Sequence, residues 1–119
     1  MGVVEWIIIA IIIALLVNRF MPVKGITNIN VEEAKNKMKD KNVQFIDVRT
    51  PGEYKANHQK RFKNYPLFNL TKDLSSLDRE KEVVVICQSG MRSTKAAKLL
   101  KKNGFSQVYN VQGGMSSWR

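Results

Sequence analysis

Val83–Cys87 reads VVVIC, an apolar run with no polar position to face water. A strand of that composition is buried on both faces, which calls for a parallel sheet with helices above and below it. The rest of the chain has the matching alternation. Ile26–Ile29 predicts a short first strand, and Asn30 suits the N-cap of a helix over VEEAKNKMKD, with Glu33 placed to close a capping box. On that helix Val31, Ala34 and Met38 share one apolar face. A second strand is predicted over Val43–Val48, ended by the turn signal Thr50-Pro51-Gly52. Glu53–His58 is read as one or two helical turns, and the following QKRFKNYPLFNL has no clear period. After VVVIC come a turn at QSG, a helix over Ser93–Asn103 stopped by Gly104, and a last strand within Phe105–Val111. The expected fold class is therefore α/β.

The N-terminus differs in kind. Trp6–Val17, WIIIAIIIALLV, contains no polar residue and is apolar on every face of a helix, unlike the amphipathic helices of a globular domain. A cleaved signal peptide would need basic residues before the core and small residues after it; here Glu5 precedes it and Asn-Arg-Phe-Met-Pro follows. The expectation is an uncleaved, single-pass transmembrane anchor over residues 1–22, counted as helix from Val3 to Met21, followed by a domain over 23–119. Arg19, Lys24, Lys35 and Lys37 lie downstream of the run and no Lys or Arg lies upstream, so the domain is expected in the cytoplasm.

The chain has 119 residues, a net charge of +10, one Cys and one His. One small domain is all that this length allows. A single Cys excludes an intramolecular disulfide, and with one His no zinc cluster, and no other metal or cofactor, is expected. The basic charge predicts an anionic partner. Nucleic acid is not expected, because the basic residues are scattered without aromatic interleaving. Attraction to an anionic membrane leaflet suffices. Around His58 the residues Lys55, Lys60, Arg61 and Lys63 read either as a solvated face or as an anion-docking or lipid-facing patch.

Chemistry concentrates in VVVICQSGMRS. A buried strand brings Cys87 to its carboxyl end, where open α/β sheets bind ligands. The amides of Gln88, Ser89, Gly90 and Met91, with the first turn of the next helix, form a nest for negative charge in front of the sulfur. Such a nest lowers a thiol's pKa. Gly90 permits the tight turn, Arg92 supplies a forked cation for an oxyanion, and Ser93 is read as the helix cap that also turns its hydroxyl inward.

The segment CQSGMRS resembles the active-site loop of single-domain rhodaneses, Cys-x-x-Gly-x-Arg-Ser. FIDVRTPGEY at 45–54, KLLKKNGFSQVYNV at 98–111 and GGMSSW at 113–118 agree with the same family, in order. The resemblance covers roughly Thr27 to Arg119. It implies a five-stranded, mostly parallel sheet with helices on both faces and a sulfurtransferase whose Cys87 carries a sulfane sulfur as a persulfide. It implies that Arg92 positions an anionic donor such as thiosulfate, that Gln88, Ser89, Gly90, Met91 and Ser93 cradle the transferred group, and that a thiol or cyanide accepts it. Asp47 and Arg49 match the family's Asp-x-Arg and are assigned a supporting role. His58 matches the family His and is read as structural support, Glu53 as an N-terminal helix carboxylate. The family's phosphatase relatives have a loop one residue longer, so sulfur chemistry is favoured over phosphoryl chemistry. A noncatalytic rhodanese-like docking module at the membrane is the alternative.

Overall fold

The computed structural model describes residues 2–20 and 25–118. The strands β1 (Ile26–Ile29), β2 (Gln44–Asp47), β3 (Lys63–Asn64), β4 (Val83–Ile86) and β5 (Val108–Val111) form one sheet in the order β1-β5-β4-β2-β3. All its pairings are parallel. The VVVI run is thus the central strand, and all of its residues are buried. Its side chains alternate between the two faces. Val83 and Val85 pack with Leu100 and Phe105 on one face, Val84 and Ile86 with Phe45 and Phe62 on the other. Each fully buried Val or Ile contributes about 1.5–3 kcal/mol, which is why a strand with no polar side chain holds the middle of the sheet. Cys87 continues the phase of Val83 and Val85 and joins the same core.

The helices are α1 (Val3–Phe20), α2 (Val31–Lys37), α3 (Pro51–Ala56), α4 (Leu70–Asp73), α5 (Met91–Lys102) and α6 (Gly114–Ser117). Helix α5 lays Ala96, Ala97 and Leu100 on the face that holds Cys87, and α2 and α6 place Ala34 and Met115 on the opposite face. The capping box of α2 is present: Asn30 Oδ1 accepts from the Glu33 amide at 2.8 Å, and Glu33 Oε1 accepts from the Asn30 amide at 3.3 Å. The helix stops before the expected Asp40. Arg61 reaches the turn that follows, donating to the carbonyls of Met38, Asp40 and Val43 at 2.6, 3.0 and 2.9 Å. Arg61 therefore leaves the basic run around His58 to serve as a structural tie, while Lys55, Lys60 and Lys63 remain exposed.

The expected membrane anchor is corrected. An apolar helix does form, yet among the described residues no helix is long and apolar enough to cross a membrane. Helix α1 has 18 residues, about 27 Å at ~1.5 Å per residue, against the ~30 Å of a hydrocarbon core. Met21, counted into the span from sequence, lies outside the described residues. The localisation as a single-pass protein with a cytoplasmic domain falls with the span, and the membrane loses its support as a partner. Among the described residues, none from α1 belongs to either core cluster.

Candidate active site

Strand β4 ends at Ile86, so Cys87 is delivered to the carboxyl edge at the centre of the sheet. The turn after it is shorter than expected. Gly90 adopts φ +108°, a left-handed conformation, and is itself the N-cap of α5, so the helix begins at Met91 rather than near Ser93. Ser93 is then a first-turn residue and not the cap. Its Oγ donates back to the Gly90 carbonyl at 3.0 Å and lies 3.3 Å from Cys87 Sγ. The Gly90 amide points at the sulfur from 2.9 Å.

Burial alone would push the Cys87 thiol up. The Ser93 hydroxyl and the amides of Ser93, Gly90 and Ser89 overcome it, and the thiol is held below its ordinary value. Ser93 has one hydroxyl hydrogen, used on Gly90 while the sulfur is a thiol and available to the sulfur once it is a thiolate. Ser93→Ala removes the strongest of the donors that favour the thiolate. A higher pKa means less thiolate at neutral pH, so alkylation of Cys87 at pH 7 is expected to slow by about tenfold, at ~1.4 kcal/mol for one charge-assisted hydrogen bond. The rate should recover as pH rises. An unchanged pH profile of iodoacetamide reaction would remove Ser93 from this role.

Arg92 sits beside the loop with its guanidinium forked onto Glu53, Nη1 to Oε1 at 2.6 Å and Nη2 to Oε2 at 2.9 Å. Glu53 belongs to the first turn of α3, as read from sequence, and closes a capping box with Thr50. The Arg92 fork draws its carboxyl down to about 2. Arg92 in turn is held above its ordinary value, first by Glu53, with the negative charges of Cys87 and Asp47 adding to the effect. The partnership of Glu53 with Arg92 was not evident from sequence.

Asp47 and Arg49 form a buried pair at the end of β2, with side chains 0% and 3% exposed. The carboxylate accepts from Arg49 Nη2 at 2.7 Å and from Nε at 3.0 Å. Arg49 also donates to the Asn57 carbonyl and reaches Gln88 Oε1 at 3.4 Å, so this pair touches the loop rather than the sulfur. His58 stands apart from the sulfur: its ring stacks on Tyr54 with centroids 3.8 Å apart, and Nδ1 meets the Tyr54 carbonyl at 2.8 Å.

Sequence reading missed α6. The amides of Met115 and Ser116 donate to the carbonyls of Cys87 and Gln88 at 2.8 and 2.9 Å, fastening the loop from behind. Gly114 makes this approach possible, since a Cβ there would stand 2.2 Å from the Cys87 carbonyl oxygen. The paired glycines at 113 and 114 were the available signal. Gln88, Ser89 and Met91 are exposed at the mouth of the site, Met91 at 77%. Among the described residues no group of His, Cys, Asp and Glu is placed to hold a metal ion.

The sequence and the fold both have counterparts among known proteins. The chain is 39% identical over 75 residues to the uncharacterized protein YqhL of Bacillus subtilis, covering 63% of this chain and 60% of that one. It is 29% identical over 91 residues to the thiosulfate sulfurtransferase GlpE of Vibrio cholerae, covering 76% of this chain and 86% of that one. The aligned stretch spans 60, 51 and 34% of the first curated relatives that it matches. The crystal structure of a rhodanese-like domain protein from Staphylococcus aureus superimposes with a TM-score of 0.72 at 33% identity, over 78% of this chain and 91% of that one. The profile of the Rhodanese-like domain matches residues 30–119, and the chain belongs to that family.

Proposed function

We propose that this protein is a sulfurtransferase that takes a sulfane sulfur from a small anionic donor such as thiosulfate onto Cys87 and passes it to a thiol or to cyanide. The observation that carries this reading is the position of Cys87 Sγ: it ends the central strand, and the Gly90 amide and Ser93 hydroxyl lie 2.9 and 3.3 Å away. A thiolate held in that ring attacks the outer sulfur of thiosulfate. The new bond joins the two sulfurs, the S–S bond of the donor breaks, and its electron pair leaves with sulfite. The persulfide's terminal sulfur carries the negative charge that the amides from Gln88 to Ser93 then face. Only six residues run from Cys87 through Arg92, which favours sulfur over a bulkier phosphoryl group. A relative named as a thiosulfate sulfurtransferase supports the same reaction class. Mass spectrometry after exposure to thiosulfate should find one added sulfur atom on Cys87; an unmodified Cys87 under conditions that load other sulfurtransferases would refute the proposal.

Arg92 meets the donor only in competition with Glu53, whose carboxylate occupies both arms of its fork. Glu53→Gln keeps a side chain able to close the capping box of α3, removes one negative charge at the mouth and loosens the fork. The KM for thiosulfate is expected to fall about threefold to tenfold, the scale of ~1 kcal/mol of charge–charge interaction near a surface. A KM that stays the same or rises would mean that Arg92 serves the loop's shape and not the donor.

A further inference from the structure

The carbonyl of Gly90 collects three donors. Ser93 Oγ reaches it at 3.0 Å, Thr94 Oγ1 at 2.7 Å and the Thr94 amide at 3.2 Å. A carbonyl oxygen has two lone pairs, so one of the three donors is in excess. Helical Ser and Thr side chains commonly bond back to a carbonyl three or four residues earlier. Here both use one carbonyl, and it belongs to the residue whose amide faces Cys87 Sγ from 2.9 Å. Ser93 Oγ is also the hydroxyl that lies 3.3 Å from that sulfur.

The direction of these bonds can be followed into β5. A carbonyl only accepts, so the one hydrogen of the Thr94 hydroxyl points at Gly90. Toward Asn110, 3.3 Å away, Thr94 Oγ1 can then only accept, and Asn110 must present its Nδ2. The same Nδ2 donates to Asn28 Oδ1 at 3.1 Å. This leaves Asn110 Oδ1 without a partner among the described residues, in a side chain that is 5% exposed. Turning the amide over would set Oδ1 against a Thr94 oxygen whose hydrogen is already in use. An unpartnered buried acceptor is destabilising, and here it follows from holding the Thr94 hydroxyl toward Gly90.

We infer that Thr94 is a positioning residue for Cys87: it holds the Gly90 carbonyl so that Ser93 can turn its hydrogen to the sulfur, and Asn110 keeps the Thr94 hydroxyl in that direction. The inference rests on the reading of Cys87 as the nucleophile. While the sulfur is a thiol, Ser93 and Thr94 share the Gly90 carbonyl. When the thiol gives its proton to water, the Ser93 hydroxyl rotates to the thiolate, and the two Thr94 donors still fill both lone pairs of the carbonyl. Without the Thr94 hydroxyl the same rotation leaves one lone pair empty, so the thiolate loses part of what Ser93 gives it. Arg92 on α5, Glu53 on α3 and Asp47 on β2, the charged groups gathered near the sulfur, are untouched by the substitutions that test this.

The test is the pH profile of Cys87 alkylation by iodoacetamide in the full chain, which needs no sulfur donor. Thr94→Val keeps the shape of the side chain and removes its hydroxyl. The rate at pH 7 is expected to fall about fivefold, the scale of one neutral hydrogen bond, and to climb to the unmodified plateau as pH rises. The fall is smaller than for Ser93→Ala, because Thr94 is exposed and water replaces part of what is lost. Thr94→Ala should behave alike, and Thr94→Ser, which returns the hydroxyl, should restore the rate to within about twofold. The deciding measurement is the double variant. In a Ser93→Ala background there is no hydrogen to release, so adding Thr94→Val should change the rate by less than about twofold. Profiles of Thr94→Val and Thr94→Ala that superimpose on that of the unmodified protein would overturn the inference. So would an equal fivefold fall in the Ser93→Ala background, since Thr94 would then act on the shape of the loop. If the alkylation rates follow this pattern while Cys87 takes up no sulfur from thiosulfate, the sulfurtransferase proposal fails and the role of Thr94 stands.

Discussion

Cys87→Ser is expected to abolish persulfide formation and to lower sulfur transfer by at least about a thousandfold, the scale on which removal of a covalent nucleophile is felt. The loop's amides and the Ser93 hydroxyl hold a thiol below its ordinary pKa, whereas a serine hydroxyl starts too high for the same donors to ionise it near neutral pH. The fold has little reason to change. The replacement is smaller by a fraction of an atom, and the Gly90 amide at 2.9 Å and Ser93 Oγ at 3.3 Å remain to satisfy a hydroxyl. Thermal unfolding is therefore expected within about 1 kcal/mol of the unmodified protein, as for other near-isosteric changes that leave no polar group unpaired. Turnover with thiosulfate and cyanide, mass spectrometry of the treated protein and a melting curve form the necessary set. Retained turnover by a folded Cys87→Ser protein would end the sulfurtransferase proposal and give weight to a noncatalytic docking module.

What was legible in the sequence follows from how local each cause is. VVVIC announces a doubly covered strand by composition alone, and Asn30 with Glu33 announces a helix start because both partners of the capping box lie within one turn. The start of α5 was misplaced because it depends on a backbone angle: Gly90 at φ +108° turns the chain straight into the helix, and Ser93, a good cap by type, ends inside the first turn. Glu53 could be read as a helix-terminal carboxylate, but its grip on Arg92 spans 39 positions and exists only because β2 and β4 are neighbours in the sheet. The role of Gly114 was hidden for the same reason, since the carbonyl it must avoid belongs to Cys87. The apolar run at the N-terminus shows the limit of composition. It makes a helix, as its residues require, but among the described residues no helix is long and apolar enough to cross a membrane.

Asp47→Ala is expected to be the most destabilising single change near the site. The Asp47 side chain is 0% exposed and accepts from both the backbone amide and the guanidinium of Arg49. Removing it strands a cation that is 3% exposed, with only the Asn57 carbonyl and a long 3.4 Å contact to Gln88 Oε1 left to it. Uncompensated buried charges of this kind cost about 3–5 kcal/mol, a large share of the roughly 5–15 kcal/mol that holds a domain together. At about 4–8 °C per kcal/mol for a domain of this size, the melting temperature should drop by at least about 12 °C. The control separates loss of the pair from loss of half of it. Asp47→Ala with Arg49→Met buries no charge, and is expected to recover more than half of the lost stability even if the single variant is too unstable to purify. It should nevertheless load sulfur more slowly than the unmodified protein, because the Arg49 contact to Gln88 is gone from the loop. A single variant within about 3 °C of the unmodified protein would mean that water reaches Arg49, and a double variant that melts as low as the single would locate the cost in packing rather than in charge.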